Sequence, residues 1–427
     1  MSGFGFRVSN RQRYSGAAAP QKNQTMETNS TLHTTRVAEI QTALQQAGLD
    51  GWLFCDFRHS DPLAWRILKL DANVHASRRW FYFVPASGEP SKIVHAIETD
   101  KLDALPGGKT VYLRWQELHA ALQKAVSGHS RVAMQYSPNN AIPYMARVDA
   151  GTVELIRSFG PEVVTSADLV QVFEAVWSPA QLATHVAAAE KVYKIIHEAF
   201  AEIGRCARAG EAMTEYSIQQ FMWRRFDEEG MHADYAPIVS VNANSARPHY
   251  APSAEVHSPI NVGDFVLLDV WAKLKEPDSV YADLSWTGFV GDTVPEKYSR
   301  IFDIVAGARD AAVAFIREKV AAGVSFKGAE VDDVSRAVIV NAGYGDKFLN
   351  RTGHSIGEEV HGNGANIDNL ETPDTRTVMP RTCFSIEPGI YLPGDFGLRS
   401  EIDVYVGDGE VLIAGQPIQT AVIPILS

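Results

Sequence analysis

Cysteine is scarce in this chain, with three in 427 residues: Cys55, Cys206 and Cys383. Their number is odd and their spacing wide, which excludes a disulfide framework and a C-x-x-C metal site and favours a reducing, cytoplasmic compartment. Long apolar runs are missing too. No stretch approaches the ~18 residues of a membrane span, so no membrane partner is expected. Basic charge is in deficit, 39 Lys and Arg against 51 Asp and Glu, for a formal net charge of -12. A nucleic-acid partner needs a basic footprint, and none is present. A secretory h-region is also lacking, since the longest early apolar stretch is Ala17-Ala18-Ala19. Residues 1–34, acid-free before Glu27, are expected to form a disordered or arm-like leader. What remains, 45% hydrophobic and 21% charged, is the composition of an ordinary globular chain.

From Thr35 the pattern alternates. Val37, Ile40 and Leu44 recur at helical spacing before Gly48. Strand-like runs follow at Gly51–Cys55, Trp80–Val84, Ile93–Ile97, Thr110–Trp115 and Arg131–Tyr136, with a helical stretch at Gln116–Val126. This predicts a small α/β domain over 35–165 and a connecting helix at Ser166–Val176. Ser178-Pro179 then supplies a helix N-cap and first-turn proline for a long Ala-rich amphipathic stretch ending at Gly210. A second helix runs from Thr214 to Gly230, followed by strands to Val290. The sequence then repeats the order: helices at Pro295–Val320 and Phe326–Ala342, then strands. Two helices and a strand hairpin, given twice, predict an internally duplicated α+β domain over 166–427.

Each half of that domain carries a spaced carboxylate pair. Asp269 and Asp283 are fourteen residues apart, as are Glu387 and Glu401. Glu276-Pro277-Asp278 and Pro393-Gly394-Asp395 lie near the two midpoints as turn signals. In an antiparallel hairpin, residues equidistant from the turn face each other, and like charges so opposed are destabilising. A chain that does this twice is expected to hold cations there. Between the hairpins lies Arg351-Thr352-Gly353-His354-Ser355-Ile356-Gly357, with His361 seven residues after His354, and Arg247-Pro248-His249-Tyr250 comes earlier. A single strand-end aspartate is ordinarily a cap. Four carboxylates with one imidazole and no cysteine suit hard or borderline divalent ions: Mn²⁺, Co²⁺ or Zn²⁺. Carboxylates that bridge two such ions keep them roughly 3.5–4 Å apart over a shared water.

The set Asp269, Asp283, His354, Glu387, Glu401, with its Gly-His-x-x-Gly and x-Glu-Pro-Gly-x-Tyr contexts, resembles the pita-bread metallopeptidases. These include prolidase, aminopeptidase P and methionine aminopeptidase. The likeness covers about 175–427, and the preceding α/β segment resembles the N-terminal domain of prolidases, aminopeptidase P and creatinase. The resemblance implies a duplicated pita-bread domain with two divalent ions, Mn²⁺ foremost. It implies that Asp269 serves one ion, His354 and Glu387 the other, and that Asp283 and Glu401 bridge them. Glu387 would also transfer protons, while His249 and His361 would contact the substrate. Arg399 would organise the carboxylates or Tyr281. The implied reaction is hydrolysis of a short peptide at an Xaa-Pro bond, as a prolidase-like dipeptidase ahead of an aminopeptidase P. The implied assembly is a homodimer or larger homo-oligomer.

Three segments depart from the family pattern, one of them Ala272–Val280, which is longer than usual between the two aspartates. Asp283-Leu284-Ser285-Trp286 stands where the family commonly has Asp-x-Thr-Arg, so Trp286 is expected to reshape the pocket. Gly362-Asn363-Gly364 follows His361 in place of Glu-x-Pro. These keep two alternatives open: a non-peptidase hydrolase or lyase on the same fold, or a catalytically silent binding module.

Overall fold

The computed structural model describes residues 22–427, with side chains from residue 31 onward. The leader reading therefore lies outside the described residues for positions 1–21. Helix α1, Lys22–Gln46, begins ahead of the Thr35 boundary drawn from the sequence pattern. The chain divides into two compact units, Met1–Val126 and Ser127–Ser427.

In the first unit α1 buries Val37, Ile40 and Leu44 and gives way at Gly48, whose φ of +63° suits glycine. Strands β1 (Gly51–Asp56), β2 (Trp80–Pro85), β3 (Ser91–His95) and β4 (Gly108–Tyr112) follow, with α2 (Pro62–Ile67) after β1 and α3 (Trp115–Val126) after β4. Their order across the sheet is β4-β3-β2-β1, antiparallel except for the parallel β3–β4 pair. Every residue of β2 is buried, as its Trp-Phe-Tyr-Phe-Val-Pro sequence requires. Helix α2 was not apparent from the sequence: it is six residues long and starts on the Asp61 side chain, which accepts from Ala64 N.

The second unit opens with β5 (Arg131–Met134), α4 (Ala150–Ser158), the parallel partner strand β6 (Glu162–Thr165) and α5 (Ala167–Glu174). Helix α6, Pro179–Ala209, starts at a reciprocal capping box between Ser178 and Gln181 and ends at Gly210 with φ +67°. Its buried face includes Ala188, Val192, Ile195, Ile196, Ala199 and Ile203, which join one core with Val266, Leu268 and Val270. Helix α7 (Glu215–Glu228) is capped by Thr214 in the same manner. Strands β7 (Met231–His232), β8 (Ile238–Val241), β9 (Phe265–Leu274) and β10 (Ala282–Phe289) complete the first half.

Helices α8 (Glu296–Ala321) and α9 (Gly328–Asn341) open the second half. Strands β11 (Ser355–Ile356), β12 (Thr382–Ile386), β13 (Gly389–Leu392), β14 (Phe396–Arg399), β15 (Ile402–Val406), β16 (Val411–Ile413) and β17 (Ile423–Pro424) follow. The sheets run β17-β10-β9-β7, with β8 also on β9, and β11-β12-β15-β16, beside the β13–β14 hairpin. An antiparallel bridge between Ser285 and Glu401 joins the halves where the two carboxylate hairpins meet. Among the described residues, no helix is long and apolar enough to cross a membrane.

Candidate metal centre

The two hairpins present their carboxylates in different registers. Asp269 pairs with Ser285 and Asp283 with Trp271, so the aspartates are diagonal neighbours rather than directly opposed. This corrects the expectation from equal spacing. The ladder is centred on Pro277, one residue past the midpoint of the pair, and that displacement moves each partner by two positions. A shift of two preserves the face, so both aspartates still point the same way. The second hairpin meets the expectation. Its ladder steps from Ile386–Ile402 to Gly389–Arg399, which brackets Glu387 directly opposite Glu401.

All five predicted ligands come together. Asp269, Asp283, His354, Glu387 and Glu401 are between 2% and 8% exposed. One ligand atom each from Asp283, His354 and Glu401 lies within 4.8 Å of the others. His354 Nε2 is 3.6 Å from Asp283 Oδ2 and 3.7 Å from Glu387 Oε1. Ser285 Oγ lies 2.8 Å from Asp269 Oδ1 and 2.6 Å from Glu401 Oε2, while Arg399 Nε donates to Ser285 Oγ at 3.0 Å. Arg399 Nη2 pairs with Asp269, and Arg399 Nε stands 3.6 Å from Glu401 and 3.8 Å from Glu387. Arg399 therefore organises carboxylates. Tyr281 instead donates its hydroxyl to Asp234 at 3.1 Å.

The protonation pattern fits a cation site. Burial raises Asp283 and Glu401 well above the usual carboxylate range, with neighbouring aspartates adding to it, and pushes Glu387 up to about 8. Burial opposes the Arg399 charge, but Asp269 and its neighbours hold the guanidinium protonated. Burial also drives His354 down to about 3, so its imidazole is neutral. His354 Nδ1 donates to Ser355 O at 3.2 Å, which leaves the Nε2 lone pair facing two carboxylate oxygens. Asp283 Oδ1 is buried with no hydrogen-bond partner among the described residues. A neutral imidazole nitrogen and buried carboxylate oxygens that converge at 3.6 and 3.7 Å, beyond hydrogen-bond distance, form the donor set of a divalent cation.

The remaining predicted residues separate into two groups. His361 meets the His354 ring at 4.3 Å, and proximity to His354 is the chief cause of its lowered pKa. His249 is exposed and lies within electrostatic reach of His361. Its loop is held by the fully buried Glu215, which accepts from Val241 N, Ser258 N and the Tyr250 hydroxyl. Trp286 is not part of the site. Alternation along β10 turns it to the face opposite Asp283 and Ser285, where it packs 5.6 Å from Tyr193 and 4.7 Å from His197 of α6. The Gly362-Asn363-Gly364 departure has a packing reason. Gly362 N donates to Ser355 O and Gly364 N to Ser355 Oγ, and a Cβ on Gly364 would meet Ser355 Oγ at 2.6 Å.

Sequence reasoning missed the layer beneath the ligands. Ser285 and Ser385 are small strand residues whose hydroxyls gain meaning only from register; Ser385 Oγ accepts from His354 N at 3.0 Å. Asp403 Oδ2 accepts from Asp283 N at 2.9 Å, and the Asp-x-Ser and Glu-x-Asp alternation was the available signal. His185 Nδ1 donates to Tyr281 O at 2.7 Å, with Asp403 Oδ2 3.8 Å and Cys383 Sγ 3.9 Å from its Nε2.

Residues 187–408, just over half of the chain, match the model of metallopeptidase family M24, and the matched span holds all five candidate ligands. The chain belongs to that family. It is 33% identical over 171 residues to an Xaa-Pro dipeptidase of Lactobacillus helveticus, covering 40% of this chain and 42% of the relative. It is 31% identical over 198 residues to an Xaa-Pro dipeptidase of Lactobacillus delbrueckii subsp. lactis, covering 46% and 48%. The chain thus spans about half the length of the curated relatives it matches. Among solved structures, a prolidase from Thermococcus sibiricus superposes with a TM-score of 0.61 at 20% identity, over 92% of this chain and 99% of that one. A dipeptidase from Mycobacterium ulcerans gives 0.66 at 24%, with the same coverages. At these identities the likeness establishes the fold, the mixed α and β pita-bread architecture.

Proposed function

We propose that this chain hydrolyses short peptides at an Xaa-Pro bond, with two divalent ions, Mn²⁺ foremost, held by Asp269, Asp283, His354, Glu387 and Glu401. The observation that carries the reading is the buried His354 Nε2, 3.6 Å from Asp283 Oδ2 and 3.7 Å from Glu387 Oε1, beyond hydrogen-bond distance of both. The relatives' names, Xaa-Pro dipeptidase in two cases, support the substrate class. Asp283 and Glu401 would be shared by the two ions, Asp269 would serve one of them, and His354 and Glu387 would serve the other. When bound, such ions polarise a carbonyl oxygen and acidify water. Glu387 accepts a proton at its carboxylate and passes it to the leaving prolyl nitrogen. His249 and His361 donate hydrogen bonds to the substrate from the open side, and Arg399 holds Asp269 and Glu401 in place.

Residues 166–427 form the catalytic domain in this reading, 35–165 a prolidase-type N-terminal domain, and 1–34 a leader. The protein acts in the cytoplasm as a homodimer or larger homo-oligomer. The reading is tested with Mn²⁺-supplemented protein and short peptides, proline-containing and proline-free. Xaa-Pro dipeptides should be turned over, and Asp283→Asn should cost metal affinity and at least about a hundredfold in kcat/KM. Full turnover and full metal loading by Asp283→Asn would sink the assignment.

A further inference from the structure

The first unit holds a cavity of its own. About 250 Å³ of space lies between α2 with the turn after it, the start of β2, and the loop that joins β3 to β4. Its apolar walls are Trp65, Leu70, Trp80 and Leu102, and it uses none of the candidate metal ligands. Trp65 is 4% exposed and Trp80 1%, and their rings meet edge to face at 5.7 Å. Neither indole Nε1 has a hydrogen-bond partner among the described residues, so packing alone sets the two rings. Leu102 joins the wall at a φ of +64°, which a bulky residue adopts only where its surroundings hold it there. Well-packed interiors leave few voids wider than a water molecule. A side chain larger than that of Ala104, an exposed lining residue, would close this one.

The charged lining residues are acidic but for one: Asp71, Asp100 and Asp103 stand with Lys101. Lys109 pairs with Asp103, and Lys101 lies within electrostatic reach of Glu98. Asp71 Oδ1 accepts from Asn73 N and Nδ2 at 2.9 and 3.0 Å. Among the described residues no Lys or Arg pairs with Asp71 or Asp100, and both are exposed. Indole rings stack on other rings and attract cations, and carboxylates beside them select the positive charge. An apolar cavity of about 150 Å³ holds a benzene ring, so this one has space for a ring with a short arm. We propose that this cavity binds a primary arylalkyl amine, its ring against Trp65 and Trp80 and its ammonium at Asp71 and Asp100. The site is separate from Xaa-Pro hydrolysis and does not depend on that reading.

Calorimetric titration of the full chain tests this, with phenethylamine, 2-phenylethanol, phenylacetate and L-phenylalanine as probes. The amine should bind with a Kd of about 1 mM or tighter. The alcohol, which keeps the ring and lacks the charge, should bind at least about tenfold more weakly, and phenylacetate should give no heat. L-Phenylalanine separates a free amine from an amino acid, since its carboxylate beside Asp71 and Asp100 should also cost about tenfold or more. Asp71→Asn with Asp100→Asn should lower affinity for the amine about tenfold and leave that for the alcohol within about threefold. Ala104→Trp should abolish amine binding while melting at the wild-type temperature. Val74→Trp, at a second exposed lining position, should do the same. Equal affinity for amine and alcohol, or for amine and L-phenylalanine, overturns the inference. So does amine binding that survives both tryptophan variants, or no heat from the amine at about 10 mM.

Discussion

Replacing Ser285 by alanine removes a hydroxyl that Asp269, Glu401 and Arg399 share. The three contacts, at 2.8, 2.6 and 3.0 Å, involve a single hydroxyl proton. At any moment Ser285 donates to one carboxylate and accepts from Arg399 Nε, so the loss amounts to two hydrogen bonds to charged groups. Each is worth about 1.5–3 kcal/mol when its partners stay buried, and Ser285 is 1% exposed. Part of that is regained when a cation neutralises the carboxylates. The remainder is misorientation of two ligands, for which outer-shell substitutions cost about 10–100-fold in metal affinity, or about 1.4–2.7 kcal/mol. Calorimetric titration of Mn²⁺ into chelator-treated protein measures it directly. Ser285→Thr keeps the hydroxyl on the same strand face and should stay within about threefold of wild type, while Ser285→Ala should fall by the full amount. Alanine binding metal like wild type, or threonine failing as badly as alanine, would refute the reasoning.

Two further outcomes follow from the same geometry. Metal-free protein should lose stability as pH rises from about 6.5 to 8. Glu387 is raised from 4.5 to about 8 on folding, so its contribution is complete below 4.5 and vanishes as pH climbs through about 8. His354, lowered from 6.5 to about 3, contributes fully above 6.5 and so is constant in this window. Scanning calorimetry in chelator should show the decline, Mn²⁺ should abolish it, and a rising or flat profile would contradict the assignment. Gly353→Ala should destabilise the fold by about 1–3 kcal/mol and weaken metal binding, because a Cβ there would collide with the Ser385 carbonyl behind His354. Denaturant unfolding and the same titration would read both effects.

The four candidate carboxylate ligands could be found from the sequence because they lie on hairpins, where spacing about a turn maps onto space. Glu387 and Glu401 show this at its best: their midpoint, Gly394, is the left-handed residue of the turn, with φ +83°. The aspartate pair shows its limit. A longer connection from β9 to β10 centres the ladder on Pro277, and the direct opposition read from equal spacing becomes a diagonal. Trp286 was misjudged for a related reason, since its face depends on the parity of β10 and not on its nearness to Asp283. His185 and Glu215 were out of reach because their partners are 96 and up to 43 residues away, and such contacts leave no local pattern. Long helices with caps, α6 above all, were readable to within a residue or two because capping chemistry is local.

The difference in register between the hairpins has a chemical consequence. Direct opposition of Glu387 and Glu401 brings two carboxylates together, and Arg399 Nε, 3.8 and 3.6 Å away, relieves part of their repulsion. The diagonal aspartates, in contrast, admit Ser285 opposite Asp269, and through it Arg399 from the other half. Asp269 is therefore already satisfied by protein groups, while Asp283 keeps a buried oxygen without a partner. The two sides of the site are thus unequal before any cation arrives. An ion on the Asp283 and His354 side would meet the buried Asp283 oxygen and the His354 nitrogen, whereas one on the Asp269 side would compete with Arg399 and Ser285. Metal titration should accordingly resolve two unequal steps. Arg399→Lys, which loses the fork but keeps the charge, should alter the weaker step more than the stronger one, because its closest carboxylate is Asp269.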